Sequence, residues 1–376
     1  MPSLNSVLAG LRRRANHSYA SVQQWVADAE EPFSTSVTRA VDKGLLAFAT
    51  ESIKTPISKL VPTVKYCRNI LGCEVELCFW KENGGVGGPM GAAELQNAHL
   101  CFAWVQMVLA CHEGRIPRSM KCNFLLFDAV RRFPASPFAL VSKEHCNGGV
   151  TYLGRDDAEI CVFRKEELFK VFVHETFHAL GLHGPPVKPR AGDELAGLNT
   201  PCAMDYIEVY TEAWARVLNA VFTSVACAPH DNLAYLLERE AEHGWKQCKC
   251  VLDRVSKNAK LVLKGGQPTP AFEYYCMAGS VVREWRGFLG WCIANNPPCG
   301  GTEKRSKHHR SRIPGIGFDL AKPQGWLVAL GGFLETTLPT AAAEIEQETS
   351  ARSACSGHSA RMSINNPIRC VGRSGR

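Results

Sequence analysis

The sequence predicts an α+β protein, and three observations carry that expectation. Residues 73–80 (CEVELCFW) and 121–127 (KCNFLLF) have the alternation or apolar density of strands. Residues 150–153 and 159–163 read as a strand pair joined by the turn at 154–157. Residues 93–112, 165–181 and 205–225 repeat their apolar positions at helical spacing, and the chain beyond them is helical or low in order.

Composition narrows the class further. The 376 residues are 45% hydrophobic and 21% charged, the balance of a globular chain with one large or two ordinary domains. The longest largely apolar stretch, residues 100–111, is 12 residues and is interrupted by Gln106, short of the roughly 20 needed to span a bilayer. No membrane span is expected. The net charge of +7 is partly concentrated in Arg12, Arg13 and Arg14 and in residues 304–312. Neither run is interleaved with aromatic residues as a base-stacking surface would be, so nucleic acid is disfavoured as a partner. The 17 cysteines are scattered and odd in number, and residues 1–20 lack the apolar core of a secretion signal. Reduced thiols in an intracellular, cytoplasmic protein is the expectation. The alternative is organelle targeting, because residues 2–20 have no acidic residue and combine Leu4, Leu8 and Leu11 with three arginines.

In chain order, residues 1–72 are expected to form an N-terminal helical segment, with turn signals at Thr55-Pro56 and Val61-Pro62. Residues 73–255 hold the strands and the main helices and are the expected catalytic domain. The glycine-rich loop at 84–91 lacks the spacing and lysine of a phosphate loop and is read as a turn. A helix should begin near Lys165, with Glu166 and Glu167 in its first turn, and stop at Gly181, before Gly184-Pro185-Pro186. A polar, proline-rich loop leads to the helix at 205–225. Residues 256–298 are expected to be a helical extension and 299–376 a low-order basic tail.

The chemistry is concentrated in VFVHETFHALGLH, residues 171–183. His174, Glu175 and His178 form an HExxH arrangement. Four residues advance a helix by about 400°, so the two imidazoles lie on one face and can aim at one zinc ion. Glu175, about 100° round the helix, can reach a water beside the metal instead of the metal itself. Composition alone gives roughly 0.03 chance matches to this motif per chain. The flanking Val171, Phe172, Val173, Ala179 and Leu180 describe a helix buried on most sides, where two histidines and a carboxylate are costly without a compensating partner.

A catalytic zinc needs one more protein ligand. Glu212 is the expected one: it lies 34 residues beyond His178, between Ala213 and the buried side marked by Tyr210, Trp214 and Val217. His183 and Glu208 are the alternatives, Glu208 also as a partner for a zinc-bound histidine. Tyr206, Tyr210 and His243 are candidates for stabilising an oxyanion. His243, Cys248 and Cys250 lack an evident fourth member for a second metal site.

His174, Glu175, His178 and a later helical Glu212 resemble the gluzincin branch of the zincin metallopeptidases. The wider run from Glu159 through HETFHALGL to TEAWA also resembles metallopeptidases encoded by large DNA viruses of eukaryotes. The likeness covers roughly residues 120–225. It implies a mixed sheet packed on the HExxH helix, an edge strand that holds an extended peptide, a bound Zn2+ and hydrolysis of peptide bonds. It also implies a role in an infected host cell if the viral likeness holds. The alternative is a zincin fold that binds or scaffolds without cleaving.

Overall fold

The computed structural model describes residues 3–26, 30–31, 59–82, 92–112, 115–126, 130–136, 138–139, 141–153, 156–183, 205–226, 232–257 and 271–295. The chain is mixed α/β. Helix α1 (Leu4–Val26) precedes β1 (Glu30–Glu31), β2 (Leu60–Ile70) and β3 (Cys73–Glu82). Then come α2 (Ala92–Leu109), β4 (Ser119–Leu125), the short α3 (Lys143–Cys146), β5 (Gly149–Leu153) and β6 (Asp157–Val162). The rest is helical: α4 (Leu168–Ala179), α5 (Tyr206–Ala226), α6 (Leu233–Lys257), a π-helical turn (Glu273–Met277), α7 (Ala278–Arg283) and α8 (Trp285–Asn295).

The strands form one mixed sheet in the order β1-β2-β3-β4-β6-β5. β3, β4 and β6 run parallel, while β2 pairs with β3, and β5 with β6, in antiparallel fashion. Alternation assigns the faces. Val75, Leu77 and Phe79 of β3, Met120, Cys122 and Phe124 of β4, and Ile160 and Val162 of β6 are buried toward the helices. Their neighbours Glu76, Lys121 and Glu159 stand on the opposite face, in register across the sheet. Phe79 and Phe124 stack with ring centroids 4.8 Å apart, and Phe124 meets Phe172 of α4 at 5.5 Å. That contact seats the HExxH helix on the middle of the sheet.

Two expectations about organisation change. The sequence pattern places β2 in a helical segment, yet Tyr66 is a core residue and the strand pairs along its length with β3 through a turn at Leu71 and Gly72. Both turn residues have positive φ, 53° and 91°, as a tight two-residue hairpin requires. A boundary at 72/73 would cut this hairpin. Val7, Leu11 and Val22 of α1 and Val281, Phe288 and Cys292 near the end share one buried cluster with Leu77, Phe172 and Trp214. The described parts of 1–72, 73–255 and 256–298 therefore share a core. Leu8 and Leu11, two of the leucines behind the alternative of organelle targeting, are among the buried residues. Residues 299–376, with the basic run at 304–312, and the glycine-rich loop at 84–91 lie outside the described residues. Among the described residues, no helix is long and apolar enough to cross a membrane.

The start of α4 also differs from expectation. Glu166 and Glu167 precede the helix instead of filling its first turn, and Glu167 sits in the left-handed region at φ 56°. The cause is Arg131, whose guanidinium is 1% exposed. It pairs with both carboxylates and donates to the Cys146 carbonyl at 2.9 Å. A non-glycine residue in this conformation costs of order 1–3 kcal/mol and persists only where its surroundings fix it. At the other end the helix stops as expected: Gly181, at φ 62°, lets Leu182 N–H reach back to the Phe177 carbonyl at 2.9 Å. Arg131→Met should remove the guanidinium that the buried Glu167 carboxylate pairs with and lower the stability to urea by about 3–5 kcal/mol.

Candidate metal centre

α4 is buried from Leu168 to Phe177 because its flanks meet the sheet at Phe172, α2 at Phe177 and α5 at Phe169. His174 and His178, one turn apart, face α5. Their Nε2 atoms stand 3.2 Å from each other. Glu208, in the first turn of α5, brings its Oε2 to 3.2 Å from His174 Nε2 and its Oε1 to 3.5 Å from His178 Nε2. Among the described residues these three form a group whose ligand atoms lie within 4.8 Å of one another.

The donor set fits a cation. A tetrahedral ion bound at roughly 2.0–2.1 Å separates its ligand atoms by about 3.3–3.4 Å, close to the Nε2–Nε2 distance and to the contacts that the two histidines make with the two different oxygens of Glu208. Glu208 Oε2 lies against His174 Nε2, and two imidazole nitrogens facing each other require a proton or a cation between them. Electrostatics says the same. Burial presses the His174 pKa down, but hydrogen bonds and charge from Glu208 and Glu212 outweigh it and carry the value up to about 10. Burial pushes the Glu208 carboxyl up, and the two histidines more than reverse that, holding it far below the usual carboxylate range. A site that holds a proton this firmly has an excess of negative charge that a metal ion, taking the place of the proton, would neutralise.

The expectation that Glu212 would complete this triangle is not met. Glu212 lies behind His174, where it accepts the His174 Nδ1–H at 3.2 Å. Lys170 Nζ donates to both of its oxygens at 2.9 and 2.8 Å, and Arg216 Nε to Oε1 at 3.0 Å. Its lone pairs are thus occupied on the side away from the Nε2 atoms. Glu208, the alternative carboxylate on sequence grounds, is the one that reaches them. His183, past the break at Gly181, stays beside the site with its ring centroid 4.9 Å from that of His178, but its nitrogens are outside the convergent group.

Glu175 is buried and outside the triangle, as its position on the helix requires. Its Oε2 accepts from Thr151 Oγ1 of β5 at 2.7 Å. Sequence reasoning misses Tyr274. Its ring packs edge-on against His174 at 5.8 Å, and its backbone carbonyl accepts from Arg216 Nη2 at 2.8 Å. Burial, with the charges of Glu208, Glu175 and Glu212, keeps its phenol protonated well above the ordinary range. It lies in the π-helical turn, 48 residues beyond the end of α5, and π-turns gather at functional sites. Of the tyrosines expected in this role, Tyr210 is buried among Phe177, Trp214 and Phe288.

No family model, curated protein or solved structure matches this chain.

Proposed function

We propose that the protein is a zinc-dependent peptidase of the zincin kind, with His174, His178 and Glu208 as metal ligands and Glu175 as general base. The observation that carries this reading is that two Nε2 atoms and a half-buried carboxylate offer ligand atoms within 4.8 Å of one another, close enough for one ion to join them. Two further features support it. A third carboxylate, Glu175, is adjacent in sequence yet held out of the triangle. β5 lies at the end of the sheet order, antiparallel to its neighbour and beside α4, where an extended peptide could add as another strand.

Bound zinc would polarise a scissile carbonyl and make an adjacent water acidic enough to react near neutral pH. The chain's own groups do the rest. Glu212 accepts from His174 Nδ1 and so leaves Nε2 with a lone pair for the ion. Glu175 takes the proton of the attacking water and returns it to the departing amine. Tyr274, a neutral phenol against His174, can donate to the carbonyl oxygen as charge develops there. The substrate class is a peptide or unfolded protein.

Glu175→Gln should keep zinc and lose cleavage of an unstructured protein by at least about 100-fold, since glutamine preserves shape and cannot take the proton. Wild-type protein that holds zinc and cleaves nothing would favour the non-cleaving scaffold. The two glutamates separate cleanly. Glu208→Gln should empty the site after dialysis, as read by metal analysis, with little loss of fold. Glu212→Gln should instead destabilise the protein by about 3–5 kcal/mol, because the buried charge that Lys170 and Arg216 share is removed. Zinc added to metal-free protein at pH 7.5 should release about one proton from His174, measured by calorimetry in buffers of different ionisation enthalpy.

A further inference from the structure

β5 carries an anomaly on the face it turns to α4. Gly149, Thr151 and Leu153 alternate onto one side of the strand, and Gly149 and Thr151 pair with the core residues Val162 and Ile160 of β6. Packing against a helix would favour apolar side chains at both positions. One instead has no side chain and the other has a hydroxyl. Both positions lie against Glu175. A Cβ on Gly149 would stand 2.9 Å from Val171 Cγ1 and 3.0 Å from both the Cys161 carbonyl oxygen and Glu175 Cγ, so glycine leaves room for α4 here, the Glu175 stem included. Thr151 Oγ1 then lies 2.7 Å from Glu175 Oε2 and 2.9 Å from the Glu175 backbone carbonyl.

The hydroxyl has one proton and two acceptors, both belonging to residue 175. It ties the carboxylate to the helix backbone from which it springs and fixes the side-chain torsions that a free glutamate would sample. Threonine is itself stiff about χ1, so the tether is inherited from a strand held by five backbone pairings. From this geometry we infer that Thr151 is the positioning residue for Glu175, holding the base at a fixed place beside the histidine pair, in a space that Gly149 keeps open. The inference rests on the peptidase reading and adds a residue to it.

The test compares full-length wild type, Thr151→Val, Thr151→Ser and Glu175→Gln, each loaded with zinc, on an unstructured protein substrate. Valine keeps the shape of threonine without the hydroxyl. Thr151→Val should retain zinc and KM while kcat falls by about 10- to 100-fold, the scale of a misplaced catalytic group. Thr151→Ser should recover to within about threefold of wild type, and in the Glu175→Gln background Thr151→Val should remove nothing further from the residual rate. If Thr151→Val does not fold, Thr151→Ala carries the same comparison. An unchanged kcat overturns the inference, as does a rise in KM alone, which would make Thr151 a substrate contact. A zinc-loaded wild type that cleaves nothing removes the peptidase reading and this inference with it. A cleaving wild type with an unimpaired Thr151→Val variant removes this inference alone.

Discussion

One buried carboxylate holds the centre of this protein together. Glu212 is 1% exposed and gathers Lys170 and His174 from α4, and Arg216 from its own helix. Arg216 extends the chain of contacts to the backbone of Tyr274. Burying three charges is expensive, and such clusters endure where every member is paired. Here the pairing joins the two helices and the π-helical turn that surround the histidine pair. Burial brings the Lys170 pKa down to about 8, with Glu212 opposing the fall and Arg131 and Arg216 adding to it. Glu212, whose own burial acts against ionisation, is held far below the usual range by Lys170, His174 and Arg216.

The consequences pass outward from there. With Glu212 bound to Nδ1, His174 can offer only Nε2 to the site, which orients the ring toward α5. Glu208 stands one turn before Glu212 on α5, and the same helix face that buries the second carboxylate presents the first to the histidines. The opposite flank of α4 is set by the sheet. Arg131 anchors its entry through Glu167, Phe124 seats Phe172, and the small Gly149 lets β5 approach Glu175. Glu175 and the histidine pair thus leave one helix in different directions, one toward a strand and the other toward a helix.

Local signals suffice where a single period or a turn residue decides the outcome. The alternation at 73–80, the strand pair around 154–157, the stop at Gly181 and the helix over 205–225 appear close to where the sequence places them, as β3, β5 with β6, the end of α4 and α5. β2 is not legible in sequence because Pro62, Lys65 and Arg68 break its pattern and its identity comes from pairing with β3. The start of α4 is misplaced in sequence because acidic residues suit a first turn in isolation, and only Arg131, some 35 residues earlier, pulls them out of it.

The sequence by itself determined that His174, Glu175 and His178 share a helix and that two of them share a face, a consequence of 3.6 residues per turn. It also supplied both carboxylates on the next helix, but it favoured Glu212, where the packing presents Glu208 to the histidines. The ranking needed two cations. Lys170 lies one turn before His174 and Arg216 one turn after Glu212, and neither has a role until α4 and α5 are laid side by side. Only tertiary structure decided that they enclose Glu212 and leave Glu208 to the histidines, because a buried charge takes its partner from whatever the packing brings within hydrogen-bond reach.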